Sequence, residues 1–82
     1  VIEYPNGYVI YTELNTPSYF ATSLTEPVTN YWQGSYISFT SGNLKNQTRK
    51  ISSYDGSSNF ITITSAFTGT PANSDTFVIV NK

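Results

Sequence analysis

The stretch Ser35–Thr64, SYISFTSGNLKNQTRKISSYDGSSNFITIT, determines the fold class because apolar residues recur in it at every second position. That period is typical of half-buried strands and not of helices. Ile37 and Phe39 share one strand face, and Ile61 and Ile63 share another. The stretch therefore predicts three strands, over 35–40, 47–54 and 59–64.

Two glycine-containing segments separate these strands. SGNLKN, with Gly42, joins the first strand to the second, and DGSS, with Asp55 and Gly56, joins the second to the third. Asp-Gly is a strong hairpin signal because glycine accepts the positive φ that primed turns require. The three strands are therefore expected to form an antiparallel meander.

The same alternation outside the meander predicts three more strands, Tyr8–Thr12, Ser18–Leu24 and Thr76–Val80, with a turn at Pro5–Gly7 before the first. The last strand, TFVIV, is apolar on both faces, which favours a central or doubly covered strand. The sequence thus predicts an all-β fold, a small antiparallel barrel of five to six short strands. A compact β-sandwich is the alternative, and the barrel is preferred because closure removes unpaired edges.

The predicted core consists of the apolar residues on the inward face of each strand and one tryptophan. These residues are Val9, Tyr11, Leu24, Trp32, Ile37, Phe39, Ile51, Ile61, Ile63, Phe77 and Ile79.

Length and composition indicate a single domain over residues 1–82. So small a domain buries a modest core, and the chain has neither cysteine nor histidine, so no disulfide and no Cys/His zinc site supports it. Oligomerisation is a common substitute at this size. The chain also lacks methionine, from which we expect that it has lost its initiator, was cleaved or is a piece of a longer chain.

Charge is low, with 11% charged residues and a net charge of −1. A general nucleic-acid surface needs a basic patch, and a polybasic membrane anchor needs clustered Lys and Arg. No apolar run approaches the length of a membrane span. We therefore expect neither a nucleic-acid nor a membrane partner.

The residue types argue against catalysis. Without histidine or cysteine the chain lacks the usual general base and thiol nucleophile. Asp55 and Asp75 lie in predicted turns, where an aspartate side chain bonds the local backbone. The sequence therefore predicts no enzyme, no metal site and no cofactor.

Arg49 is the first candidate interface residue. Arg49 and Lys50 point to opposite faces of a strand, so they cannot form one basic patch. Arg49 shares the face of Ile51, which places it at the rim of the core. There it is expected to pair with Asp55, with Asp75 or with a neighbouring subunit.

Tyr31 and Trp32 are the other candidates. Neighbours on an extended chain face opposite ways, so one ring is expected to be buried and the other exposed. The pair lies between Asn30 and Gln33. Three roles remain open for it: core packing, an anchor in a protein interface, or a platform for a glycan ring.

From Tyr31 to Val80 the chain resembles a module of tailed-phage and prophage virion proteins. The module's motifs are aromatic-x-Gly, I-x-F-T-S-G, G-Q-x-R-x-I-x-x-Y-D-G, I-T-V and P-A-x-x-D-x-F-x-I. The matching residues are Tyr31, Trp32, Gly34, Ile37, Phe39, Thr40, Ser41, Gly42, Gln47, Arg49, Ile51, Tyr54, Asp55, Gly56, Ile61, Thr62, Ile63, Pro71, Ala72, Asp75, Phe77 and Ile79. The chain has Asn46 where the module has glycine, although asparagine also tolerates positive φ.

The resemblance implies a non-enzymatic structural protein of the virion. It would decorate or cement a capsid, or belong to a tail or fibre, and would contact other virion proteins or copies of itself through β-edges and a Tyr/Trp-rich surface. One alternative is a carbohydrate- or host-receptor-binding module with a glycan as partner. The other is an extracellular adhesion or filament subunit of a bacterium.

Overall fold

The computed structural model describes residues 6–80, which form six strands and no helix. The strands are β1 (Asn6–Ile10), β2 (Tyr19–Thr22), β3 (Tyr36–Phe39), β4 (Thr48–Tyr54), β5 (Phe60–Ile63) and β6 (Thr76–Val80). They close into an antiparallel barrel in the order β1-β2-β5-β4-β3-β6. The predicted barrel and its β3-β4-β5 meander are confirmed.

Two strands, β1 and β4, each belong to both halves of the barrel wall. The first part of β1 pairs with β6, whereas Val9 and Ile10 pair with β2. β4 changes partner from β3 to β5 at a bulge, where Ser52 is the extra residue between the pairs formed by Ile51 and Ser53. A bulge bends a strand and increases its twist, so it lets β4 turn the corner that closure requires.

The interior is filled by side chains from all six strands and by three side chains from the connections, Leu24, Leu44 and Phe67. The fully buried rings surround Phe39, whose centroid lies 5.0 Å from that of Phe67 and 5.8 Å from that of Phe77. The buried apolar residues are Val9, Phe20, Ala21, Leu24, Ile37, Phe39, Leu44, Ile51, Tyr54, Ile61, Ile63, Phe67, Phe77 and Ile79, and Trp32 packs against them partly buried.

The predicted core is right for nine residues and wrong for Tyr11, which is 66% exposed. β1 ends at Ile10, so the inward alternation does not continue, and the Tyr11 N–H donates to Asn73 Oδ1 at 2.9 Å instead of to a strand. Trp32 lies at the margin of the core. Buried residues that the prediction omitted are Phe20, Ala21, Leu44, Tyr54 and Phe67.

The turn predicted at Pro5–Gly7 is wrong for Asn6 and Gly7, and Pro5 lies outside the described residues. Both residues belong to β1, with Gly7 opposite Phe77. A Cβ at Gly7 would lie 3.1 Å from the Phe77 ring and 2.8 Å from Ser23 Oγ. Glycine is therefore needed here because of close packing within the strand.

The two predicted glycine turns have different causes. Gly42 has φ +80°, as a turn glycine should, and Asn46 has φ +72°, so asparagine does fill the place of the module's glycine. Gly56 has no positive φ, and Asn59 carries the left-handed conformation in its turn with φ +63°. The conformational reason given for Gly56 is therefore wrong.

The connections divide between two ends of the barrel. The antiparallel register places the segments 11–18, 40–47 and 64–75 at a first end, and 23–35 and 55–59 at a second end. Leu44 and Phe67 bury their side chains at the first end, and Leu24 does so at the second.

Candidate functional site

Tyr54 joins the long 23–35 segment to the β4–β5 hairpin at the second end. Its side chain is 1% exposed, and its hydroxyl donates to the Glu26 carbonyl at 2.7 Å and accepts from Asn59 Nδ2 at 2.8 Å. Its backbone exchanges two bonds with Asn30, from Asn30 N to Tyr54 O at 2.7 Å and from Tyr54 N to Asn30 Oδ1 at 3.1 Å. One buried residue thus fixes the segment that carries Tyr31 and Trp32.

Gly56 completes this junction from the adjacent turn. A Cβ at this position would fall within contact distance of the Pro27 carbonyl and 2.9 Å from the Thr29 nitrogen. The Gly56 N–H donates to Thr29 Oγ1 at 3.2 Å. The two backbones approach so closely that only glycine fits between them.

Tyr31 and Trp32 differ in exposure as predicted, but the backbone reason is different. The segment is a series of turns, in which the Tyr31 N–H donates to Val28 O and the Gln33 N–H to Asn30 O. Tyr31 is 55% exposed, and its ring meets the Trp32 ring edge-on at 4.7 Å. The Trp32 Nε1 is buried and has no hydrogen-bond partner among residues 6–80.

Arg49 lies at the rim of the core at the first end. Its guanidinium carbon is 5.1 Å from the centre of the Phe67 ring, and its Nε donates to the Ala66 carbonyl at 3.2 Å. No ion pair joins Arg49 to Asp55 or Asp75 within residues 6–80, so those two predicted pairings are wrong. The side chain instead holds the 64–75 segment against the barrel.

An apolar patch lies on β1 and the turn after it. Four of the seven large hydrophobic residues that are exposed in the structure belong to this one segment. Tyr8 is 48% exposed, Ile10 42%, Tyr11 66% and Leu14 65%, and we call these four the 8–14 patch. Tyr8 and Ile10 share the outer face of β1, since Val9 between them is fully buried.

A shallow depression lies beside β5, between the β4–β5 hairpin and the docked 29–30 turn. One wall is aromatic: the Tyr19 and Phe60 rings are stacked with centroids 4.7 Å apart and planes at 22°. The other lining residues are mostly polar: Thr29, Asn30, Ser53, Tyr54, Asp55 and Thr62.

Asp55 is the charged group of this depression. Its Oδ1 accepts from the Ser57 N–H at 2.8 Å and from the Ser58 N–H at 3.3 Å. These backbone donors, that of Ser57 first, hold the pKa of the carboxyl below its ordinary value of 3.8. The group is therefore a fixed anion at neutral pH.

Neither the 8–14 patch nor the depression is predicted by the sequence. The patch depends on where β1 ends, which alternation alone does not indicate. The depression depends on the β2–β5 register, which places Tyr19 opposite Thr62 and Ala21 opposite Phe60. The only sequence signal for it was the Asp-Gly turn, which supplies Asp55.

Comparison with known proteins gives no match: no family model fits the chain, and neither a curated protein sequence nor a solved structure is significantly similar to it.

Residues 6–80 lack two further features. No helix there has the length and apolar character needed to cross a bilayer. Nor do three or more side chains of the metal-binding types converge at one point in that part of the chain.

Proposed function

We propose that the chain is a non-enzymatic structural component of a phage virion, which decorates or cements the capsid or forms part of the tail or a fibre. The proposal rests on protein–protein contacts through the 8–14 patch. The resemblance of residues 31–80 to a virion module supports the location. The exposed patch supports the mode of action.

The patch is the observation that carries this proposal. Exposed apolar side chains that cluster on a small domain are characteristic of interaction sites. Tyrosine and leucine side chains exposed to this degree lie within seven consecutive residues, Tyr8–Leu14, and Glu13 is the one charged residue among them. Covering one such side chain fully contributes about 1–2 kcal/mol. Several together are enough to hold a subunit that is present in many copies.

The closed barrel changes the expected mode of contact. Each of the six strands has two hydrogen-bonded neighbours, so the described residues offer no free strand edge for β-addition. The earlier expectation that β-edges mediate assembly is therefore wrong. Contacts are expected through side chains on the outer face of β1 and through the first end.

Immunogold labelling of particles purified from the source tests the location. Label over heads indicates a decoration or cement protein, and label at one pole or on fibres indicates a tail component. Particles without label would overturn the virion proposal and favour the extracellular adhesion or filament subunit.

A matched pair of variants tests the mode of action. Leu14→Glu places a charge in the patch, whereas Ser57→Glu places the same charge at an exposed position in the β4–β5 turn. We expect Leu14→Glu to lower the copies of the chain per particle about tenfold, because it removes about 1–2 kcal/mol of apolar contact. Quantitative mass spectrometry of purified particles measures the copies, and equal incorporation of the two variants would contradict the role of the patch.

A further inference from the structure

The depression beside β5 combines an aromatic wall with polar groups whose orientation is fixed. Tyr19 is 37% exposed and its ring stacks on Phe60, so both rings are held in place before any ligand arrives. Stacked rings lose little further side-chain freedom on binding. This arrangement differs from that of Tyr31, whose ring contact is with Trp32 and which does not line the depression.

The polar side supplies a donor next to an acceptor. Asn30 Oδ1 accepts the Tyr54 N–H, so the two N–H groups of the Asn30 amide are left to donate elsewhere. Asp55 uses Oδ1 for the Ser57 and Ser58 N–H groups, so Oδ2 keeps acceptor capacity. Asn30 is hydrogen-bonded to Tyr54, Asp55 follows Tyr54 in the chain, and both Asn30 and Asp55 line the depression.

The hydroxyl groups of the depression add to this capacity. Ser53 and Thr62 are directly opposed on β4 and β5, and both line the depression half-buried. Neither hydroxyl has a hydrogen-bond partner in residues 6–80. They can each donate or accept, so they fit a ligand with several hydroxyl groups.

We propose that this depression binds one ring of an uncharged saccharide. A pyranose has C–H groups on one face, which pack against the electron-rich face of an aromatic ring. Its hydroxyls both donate and accept, so one of them can receive from the Asn30 amide and donate to the Asp55 carboxylate. Sites of this kind are commonly apolar on one side with a few fixed polar groups.

The charge of the depression determines whether it favours neutral or acidic saccharides. Asp55 is the sole charged residue among those that line the depression, and it is an anion. A sialic or uronic acid would bring a second carboxylate into the site without a cation to pair with it. The depression is therefore expected to favour neutral hexose and N-acetylhexosamine units over acidic sugars.

The inference goes beyond the virion proposal and does not depend on it. The depression shares no residue with the 8–14 patch. Binding of a saccharide to the isolated chain is measured without particles, and a negative result there leaves the immunogold test unaffected.

The test is a titration of the ¹⁵N-labelled chain with a panel of neutral and sialylated oligosaccharides, followed by two-dimensional NMR. We expect neutral members to shift amide signals of residues 53–56 and 60–62 at millimolar concentrations, and sialylated members to do so less. A panel that shifts no signals of these residues would overturn the proposal. Equal or stronger binding of the sialylated members would also overturn it.

Variants of matched type locate the site. Tyr19→Ala removes one ring of the aromatic wall, and Tyr31→Ala removes the exposed ring of the other aromatic pair. Tyr19→Ala is expected to weaken binding about tenfold or more, since it removes one of the rings against which the C–H face of the saccharide packs, whereas Tyr31→Ala leaves it unchanged. Loss with Tyr31→Ala and not with Tyr19→Ala would place the saccharide at the Tyr31–Trp32 pair and contradict the proposal.

Thr62→Val tests the same site with a variant that is expected to keep its fold. Valine has nearly the shape of threonine, and the Thr62 hydroxyl has no partner within residues 6–80, so the barrel is expected to keep its unfolding temperature. Binding should fall severalfold. Unchanged binding by folded Thr62→Val together with unchanged binding by folded Tyr19→Ala would overturn the proposal.

Discussion

Two regions of this barrel that contain tyrosine differ in how their side chains are buried and hydrogen-bonded. Around Tyr54, at the second end, the ring is buried and the hydroxyl, the N–H and the carbonyl are all bonded within the chain. In the 8–14 patch, Tyr8 and Tyr11 leave about half or more of their surface exposed. The same residue type thus serves the chain's own stability in one region and is available to a partner in the other.

The difference teaches which substitutions should affect folding and which should affect assembly. A buried polar group that loses its partner costs more than the net value of the bond, because the partner left behind is desolvated. Exposed side chains away from such networks contribute within about 0.5 kcal/mol to stability.

Tyr54→Ala should have the largest effect. It removes a buried ring and leaves the Glu26 carbonyl and the Asn59 amide without this partner, so we expect the free energy of unfolding to fall by about 3–5 kcal/mol. Tyr54→Phe keeps the ring and loses only the two hydroxyl hydrogen bonds, so it should lower the free energy of unfolding by about 1–3 kcal/mol. Urea unfolding measures both, and equal stability of Tyr54→Phe and the parent would mean that the network does not stabilise the second end.

Gly56→Ala should lower the free energy of unfolding by about 1–3 kcal/mol, because the new Cβ would clash with the Pro27 carbonyl. Gly69→Ala is the matched control. A Cβ at Gly69 meets nothing within 4 Å and no positive φ is present there, so this variant should be neutral or gain about 0.4–1 kcal/mol. Thermal unfolding compares the two, and similar unfolding temperatures would show that the close approach at Gly56 is relieved without cost.

Asp55 adds a small pH dependence to the second end. Its folded-state pKa is lowered below 3.8, so the unfolded chain takes up this proton first as the pH falls. The stabilisation by Asp55 is therefore present above the ordinary aspartate pKa and is lost as the pH falls through the lowered value. Between pH 5 and pH 2, about the range over which aspartate titrates, the free energy of unfolding should decrease less steeply with falling pH for Asp55→Asn than for the parent. Equal slopes for the two proteins would contradict this.

Leu14→Ser and Tyr11→Ser should change stability least, by about 0.5 kcal/mol or less, since both side chains are mostly exposed. Unfolding of the isolated chain measures this. A loss above about 1.5 kcal/mol, well beyond that surface range, would mean that the 8–14 patch packs within the chain and is not free for a partner.

The same contrast explains what the sequence could predict. Alternation is a local signal, and it located all six strands and the meander, although β2 buries Phe20, Ala21 and Thr22 in succession. The rest depends on contacts distant in sequence. Phe67 and Leu44 lie in connections that have no hydrophobic alternation. Tyr54 fixes the 23–35 segment through hydrogen bonds to Glu26 and Asn30, which come near it only in the folded barrel.

The candidate sites show the same limit. Arg49 was correctly expected at the rim of the core, but its partners are a carbonyl and the Phe67 ring, and both come from a segment whose fold the sequence does not reveal. One ring of the Tyr31–Trp32 pair was correctly expected to be more exposed than the other, and it is Tyr31, although the segment is a series of turns and not an extended strand. The Tyr19–Phe60 wall was missed because it needs β2 to pair with β5, two strands that are distant in sequence.

Thiol labelling in assembled particles tests the central claim most directly. The chain has no cysteine, so Leu14→Cys and Ser57→Cys each introduce a single thiol, one in the 8–14 patch and one in the β4–β5 turn. Both should react rapidly in the isolated chain. If the patch is an interface, labelling of Leu14→Cys should slow about tenfold or more in particles while that of Ser57→Cys stays nearly unchanged. Equally rapid labelling of Leu14→Cys in the particle and in the isolated chain would contradict the account.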